Sequence, residues 1–562
     1  RLLHLNPISP LRPPFMASFK LPFFFLLISL LAFLHALAHA PPGGGLSAGA
    51  ACKSTVYYSF CRSVLPQTAA PATVYDYGRY AVRRSLSTTR KLLSLVNGYL
   101  RRPGSLTPPA VRALEDCRAL AGLNLEFLND SFRTVDATNG TLPARRADDL
   151  QTLLSAILTN HQTCLDGLQA TASAWRVKDG LAVPLSNNTK LYSVSLALVT
   201  KGWVPKNKTV IWRGPHHRNA NFEFNDALSG LGFVRTAGAD DPVALNGVAV
   251  VGRGGGRNFT SINDAVAAAP NRTDGSAGYF LIHVTAGVYQ EYVTVPKNKA
   301  YLMMIGDGID KTFITGNRSV VDGWTTYNSA TFAVTAPRFV AANITFRNTA
   351  GPEKHQAVAL RNGADLSAFY RCRFEGYQDT LYAHSLRQFY RDCDISGTVD
   401  FIFGNAAAVF QNCHMRPRLP MSGQFNAITA QGRTDPNQNT GISIQNCNIR
   451  AAEDLAAGNR TTKTYLGRPW KEYSRTIYME SFMDASIEPS GWVAWSGDFA
   501  LNTSYYAEFN NTGPGSSLAQ RVTWPAFRVI NASDAGNFTA SSFLLADVWL
   551  PETGVPYAAG LQ

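Results

Sequence analysis

Acidic side chains are scarce in this sequence. Asp and Glu number 39 against 52 Lys and Arg, which leaves a formal net charge of +13. Charged residues make up only 16% of the 562 residues and hydrophobic ones 45%, which excludes a highly charged disordered chain. A basic surface attracts polyanions, whether nucleic acid, anionic lipid or an acidic polysaccharide. The patterns that would favour nucleic acid are missing, since nothing resembles an RRM, a helix-turn-helix or a zinc finger. No C-x-x-C or His/Cys cluster has zinc spacing, so neither a metal site nor a cofactor is expected. Beyond the N-terminal region no apolar run is long enough to cross a bilayer, and no membrane association is expected of the mature form.

The one long apolar run speaks for the compartment. "MASFKLPFFFLLISLLAFLHALAHA" (16–40) joins Met16 and one Lys to an apolar stretch that ends in Ala38-His39-Ala40, the pattern of a signal peptide with an A-x-A cleavage site. A signal anchor is the alternative reading. Residues 1–15, rich in Pro and Arg, read as translated leader. Thirteen N-x-S/T sequons, Asn129, Asn258, Asn343 and Asn537 among them, suit a secreted glycoprotein. Eight cysteines in that setting predict disulfides.

The chain is longer than one core usually holds, and its periodicity changes part-way. From 46 to 200 the pattern is helical and predicts an all-α four-helix bundle. "LQTLLSAILTNHQTCLDGL" (150–168) sets Leu150, Leu153, Leu154, Ile157, Leu158, Cys164, Leu165 and Leu168 on one stripe. "PPAVRALEDCRALAGLNLEFLNDSF" (108–132) does the same from a proline start. Cys117 and Cys164 sit on such stripes and suit a bridge between two helices, while Cys52 and Cys61 would close a short hairpin. These stripes read as core, without catalytic residues. Residues 201–244 read as a linker and processing region.

From 245 to 562, short β-rich runs recur between Gly and Asn turns and repeatedly end in an apolar–Asn/Asp/Arg–Cys or Asn-Ile element. Cys372 to Cys393 is 21 residues and Cys393 to Cys413 is 20. That period predicts one coil per repeat, hence a parallel β-helix with a long groove suited to an extended polymer. Asp379 and Asp400 are 21 residues apart, so their side chains should stack on neighbouring coils about 4.8 Å apart. Two carboxylates that close drive their pKa values apart, which makes them candidates for an acid and a nucleophile. Gln356 and Gln378 are amide donors for an oxyanion. Arg468 is placed to pair with the charged carboxylate and hold its pKa down, and Trp470 to stack on a sugar ring. The competing reading makes the Asp residues turn or ladder positions, the Gln residues a stacked amide ladder and the Arg a surface residue.

The segments "GPEKHQAVALR" (351–361), "GYQDTLYAHS" (376–385), "GTVDFIFGNA" (397–406) and "YLGRPWKEYSRT" (465–476) resemble the signature blocks of plant pectin methylesterases. So do "TAQGRTDPNQNTGISIQNC" (429–447), "SGWVAW" (490–495) and "NNTGPG" (510–515), in the same order. The helical half resembles, more loosely, the inhibitor domain that precedes the catalytic domain in pro-forms of that family. The resemblance implies a right-handed parallel β-helix and hydrolysis of galacturonate methyl esters in homogalacturonan, in the cell wall. Asp400 then matches the nucleophile, Asp379 the general acid/base and Gln378 the oxyanion stabiliser. Gln356, Arg468, Trp470 and Thr326 match substrate-site residues, with Arg468 also on the nucleophile. A Cys413–Cys447 bridge is implied, which leaves Cys372 with Cys393, free buried thiols being the alternative for that second pair. A monomer is expected, with pectin and separate inhibitor proteins as partners.

Two features depart from the family pattern. The connector has no R-R-L-L or R-K-L-L processing site, and the one "RKLL" (90–93) lies within the helical half. Arg213 and "HHR" (216–218) remain as weak candidates for cleavage. "VVGRGGGRNFTSINDAV" (250–266) also replaces the family's acidic-glycine opening. A polygalacturonase would share the fold but needs carboxylates set for glycosidic cleavage. A pectate lyase would need an acidic Ca²⁺ cluster, and a silent wall-binding protein would not need the full polar set.

Overall fold

The computed structural model describes residues 45–562, apart from 68–71, 103, 105, 172–173, 207–220, 223–232, 235, 238–242, 253–257 and 459–460. The leader, the signal peptide and the cleavage candidates at 213 and 216–218 lie outside the described residues. Of the 201–244 connector, Asn221–Phe222 pairs antiparallel with Thr236–Ala237.

Two short helices, α1 (Ala48–Cys52) and α2 (Tyr58–Val64), precede four long ones: α3 (Val74–Leu100), α4 (Pro108–Asp136), α5 (Ala144–Ala170) and α6 (Trp175–Trp203). Local chemistry sets their starts. Thr73 and Asp76 exchange side-chain and backbone hydrogen bonds in a capping box at the head of α3. Pro108 occupies the first turn of α4, where a missing N–H costs nothing. Apolar stripes on the long helices meet in a bundle core that includes Val82, Leu128, Leu154, Ile157, Leu196 and Trp203. Cys52–Cys61 and Cys117–Cys164 are disulfide-bonded, the second tying α4 to α5.

From Val243 onward the chain winds as a parallel β-helix with sheets of 12, 8 and 7 described strands, the 12 counting an antiparallel edge strand at Phe233–Val234. The seven-stranded sheet carries the site. Its strands are β1 (Val293–Val295), β2 (Phe332–Val334), β3 (Leu360–Asn362), β4 (Leu381–Ala383), β5 (Ile402–Gly404), β6 (Asn426–Gln431) and β7 (Thr464–Gly467), each parallel to the next. Inside the solenoid, equivalent side chains stack from coil to coil. Phe369 lies on Tyr390 with centroids 5.2 Å apart, and Tyr390 on Phe410 at 4.5 Å.

The repeated Asn/Asp/Arg–Cys element now has a physical cause. Asn343, Arg371, Asp392, Asn412, Asn446, Glu480 and Asn510 all hold φ between 47° and 58°. The first six make one-residue left-handed corners between the 12-stranded and 8-stranded sheets, and Asn510 makes the same corner after Tyr505–Phe509, a conformation that Asn and Asp tolerate best. The residue after each of four of these corners is a cysteine. Cys372, Cys393, Cys413 and Cys447 are buried, free thiols, which corrects the expected Cys372–Cys393 and Cys413–Cys447 bridges. Registered strands place the four on consecutive coils. The coils there are spaced about 4.8 Å apart. A disulfide needs Cβ atoms near 3.8 Å that lean toward each other. The Cys413 and Cys447 thiols donate instead to carbonyls such as Gln411 O and Gln445 O. Burial pushes the Cys372 thiol up to about 12 and makes it a poor nucleophile.

This arrangement predicts a thiol count. Unfolded in denaturant without reductant, the chain should react with a thiol reagent at four sites, and in the native state at none. Two sites or none on unfolding would restore the bridges.

Candidate active site

Asp379 and Asp400 occupy equivalent corners of adjacent coils. Each precedes its strand by two residues, and Leu381 pairs with Ile402, and Tyr382 with Phe403, in parallel register. The Asp379 N–H donates to Val399 O at 3.1 Å, and the Leu381 N–H to Phe401 O at 2.9 Å. The carboxylates are therefore one coil apart, about 4.8 Å along the axis. Both residues hold positive φ, 62° and 54°. That conformation lets a carboxylate leave an apolar run: Val399 and Phe401 stay buried while the corner between them turns Asp400 into a cavity. Asp400 lies ahead of β5, not within it. Gly404, at φ 128°, closes β5 where a Cβ would stand 2.0 Å from Ala383 O.

Arg468 follows β7 and reaches back to Asp400 as a fork. Its Nε donates to Oδ1 and its Nη2 to Oδ2, both at 2.8 Å. Such a pair is rigid as well as strong. The guanidinium also lies 4.3 Å from the centroid of the Trp495 ring. Burial raises the Asp400 carboxyl above its ordinary range despite Arg468, so the expectation that Arg468 holds it down gives only the opposing effect. Asp379 stands well above its ordinary range, first from burial and then from the Asp400 charge, with only Arg468 at longer range opposing. Asp379 is thus pushed further toward the protonated form than Asp400.

Gln356, Gln378, Thr326, Arg468 and Trp470 line the same cavity of about 640 Å³ as Asp379 and Asp400. All seven residues singled out in the sequence come together. Gln356 and Gln378 stand on neighbouring coils, where the Ala357 N–H donates to Gln378 O at 3.2 Å. Trp470 lies where a Cβ on Gly432 would come within 2.8 Å of its ring, so glycine is needed there.

Sequence reasoning missed an aromatic shelf. Tyr382 and Phe403, the middle residues of β4 and β5, stack with centroids 4.1 Å apart, and Trp470 meets Phe403 edge-on at 6.0 Å. Their 21-residue spacing, the same as that of Asp379 and Asp400, was the available signal. Trp324 and Trp495 also line the cavity. So do Thr163 and Asp166 from α5, a half read as core alone.

A pectinesterase family profile matches residues 248–547, and a plant invertase/pectin methylesterase inhibitor profile matches 47–198. The chain belongs to the pectinesterase family. It is 56% identical over 543 residues to probable pectinesterase/pectinesterase inhibitor 41 of Arabidopsis thaliana, covering 92% of this chain and 95% of that one. Probable pectinesterase/pectinesterase inhibitor 7 of the same plant is also 56% identical, over 96% of this chain and 99% of its own. Among solved structures, pectin methylesterase from carrot shares 52% identity with a TM-score of 0.55, covering 56% of this chain and 98% of its own. Family membership makes the chain a carboxylic ester hydrolase that de-esterifies pectin, with an inhibitor-like helical half.

Arg468→Gln should cost activity and move the acid limb of the pH profile upward. Loss of the cation would leave the burial of Asp400 unopposed and push its carboxyl further up. The check is kcat/KM against pH, and an unmoved acid limb would detach Arg468 from Asp400.

Proposed function

We propose that this protein hydrolyses methyl esters of homogalacturonan to pectate and methanol at the extracellular cell wall, with Asp400 as nucleophile and Asp379 as general acid/base. The observation that carries this reading is the forked Arg468–Asp400 pair one coil from Asp379, in a cavity lined by amides and aromatic rings.

Ionised Asp400 attacks the C6 carbonyl, and the carbonyl electrons collect on oxygen. Gln378 and Gln356 supply N–H donors to that oxyanion. Collapse expels the methoxy group, which takes the Asp379 proton and leaves as methanol. The remaining acyl anhydride on Asp400 is opened by water, whose proton goes to Asp379. The products are a galacturonic acid, which loses its proton to solvent and becomes the carboxylate, and the starting pair. Thr326 and Trp470 hold the sugar, and Arg468 keeps Asp400 aligned and charged. The basic surface suits a product that grows more anionic, which favours blockwise action along one polymer.

Asp400→Asn should lower methanol release by on the order of 10³-fold or more while circular dichroism stays unchanged. The wild type should release methanol without shortening the polymer. Residual activity near the wild-type level would remove Asp400 from the nucleophile role, and shortened polymer would favour glycosidic cleavage.

The helical half in this reading restrains the undivided chain. The two halves fall in one compact unit, Leu46–Gln562. Leu114, Leu168 and Leu181 form one apolar cluster with Tyr327, Ala333, Tyr382, Phe403 and Ala430 of the solenoid. Arg387 is buried between Asp365 of the solenoid and Asp148 of α5, donating to the latter at 3.0 Å. Asp116 of α4 accepts from Thr325 and Asn328. Burial pushes Asp116 up to about 7, against an ordinary value near 3.9 when undocked. The folded value is raised, so its contribution to docking is complete below about pH 4 and is lost as pH rises to about 7. The polymer activity of the undivided chain should accordingly climb across that interval, and Asp116→Asn should flatten the climb. A climb unchanged in the variant would assign the pH dependence to another group.

A further inference from the structure

The contacts of the helical half are distributed unevenly over the site. Along the seven-stranded sheet they run from the first coil to the last. Glu126 pairs with Lys297 just after β1 at 2.6 Å, Thr163 meets His384 just after β4 at 2.9 Å, and Asp166 pairs with Lys471 beyond β7 at 2.8 Å. Seven strands at about 4.8 Å make a covered length of roughly 29 Å. A polymer laid across several coils has to use that same face. Its aromatic floor is already occupied, since Tyr382 and Phe403 are 4% exposed and belong to the apolar cluster shared with α4, α5 and α6.

The reacting groups are treated differently. The described polar contacts from α4 and α5 around the cavity land beside them: Arg112 on Gly323 O at 2.6 Å, Asp116 on Thr325 and Asn328, Asp166 on Lys471. The Asp400–Arg468 fork is intact under this cover. The electrostatic partners of Asp379 are Asp400 and Arg468, both from the solenoid. A cavity of about 640 Å³ remains over the pair, with Asp166, Gln169 and Ala170 along the helical wall, the last two exposed at the rim. That volume lies within the range of roughly 300–1,000 Å³ found for sites that hold small molecules.

We propose that in the undivided chain the helical half limits substrate length and leaves the chemistry in place, so that the pro-form is an esterase that prefers methyl galacturonates of one or two residues to the polymer. The proposal rests on the reading of Asp400 and Asp379 as ester-hydrolysing groups. A short ester enters the cavity and needs neither the covered coils nor the Tyr382–Phe403 shelf. A long chain needs both, and has to displace the buried Arg387–Asp148 contact and the shared apolar cluster.

The test uses the full chain, shown by size to be undivided, with fully methyl-esterified digalacturonate and long, fully methyl-esterified homogalacturonan as probes. Methanol release per ester should favour the short substrate by roughly tenfold or more in kcat/KM. Asp400→Asn should abolish the activity on the short substrate. A double change, Asp148→Lys with Asp149→Lys, sets like charge against Arg387 and should raise polymer activity toward that on the short ester. Equal rates on both substrates in the undivided wild type would overturn the proposal, because the groove would then be open. Absence of activity on both would overturn it too, because the chemistry would then be disabled. In that last case polymer hydrolysis by the double variant would still uphold the esterase reading, and its absence would count against both.

Discussion

The parallel register between successive coils is the constraint on which the rest of this molecule depends. A ladder that pairs Leu381 with Ile402 fixes where everything two residues upstream must lie, and so sets Asp379 beside Asp400. The same ladder stacks Phe369, Tyr390 and Phe410 inside and Tyr382 and Phe403 outside. Inward rows give the solenoid its core. Outward rows give it a groove with a repeated surface, and chemistry arises where the repeat is broken by charge. The cost falls at the corners, where non-glycine residues take left-handed conformations that are worth of order 1–3 kcal/mol of strain. At Asp379 and Asp400 the strain buys position: the side chain points into the cavity while its neighbours stay in the core.

Much of this was legible in the residues because a solenoid turns sequence spacing into distance. The 21-residue interval between Asp379 and Asp400 became one coil, and the apolar stripes around Cys117 and Cys164 became bridged helices. The same logic failed for the second set of cysteines. Spacing put Cys372, Cys393, Cys413 and Cys447 on neighbouring coils, yet proximity along a stack is not a bond, and the thiols stay free with backbone carbonyls as their acceptors. The left-handed corners explain why an Asn, Asp or Arg precedes each of them, a pattern visible in the sequence without its cause.

What the residues could not disclose is the contact between the halves. Helical periodicity marks Leu114, Leu168 and Leu181 as buried and is silent on whether a helix or a sheet covers them. In the structure they pack with Ala333, Tyr382 and Ala430 of the solenoid. Polar residues are equally ambiguous. Asp116, Asp148 and Asp166 fall on helices with nothing in the sequence to name a partner; all three meet donors of the solenoid. Arg387 shows the stakes, because a buried cation that loses its carboxylates typically costs 3–5 kcal/mol. Three carboxylates from a domain of net basic chain composition are thus concentrated on the face that meets a groove suited to polyanions.

The electrostatics of the pair follow from one asymmetry. Both carboxyl groups are buried, and burial by itself pushes both upward. Arg468 breaks the tie, because it grips Asp400 through two hydrogen bonds and reaches Asp379 only through space. Once Asp400 carries the charge, that charge itself holds the proton on Asp379. A single fork therefore assigns both roles, and the order of the assignment is set by which corner Arg468 can reach from β7. Because that fork is formed entirely within the solenoid, the helical half can cover the groove without undoing it.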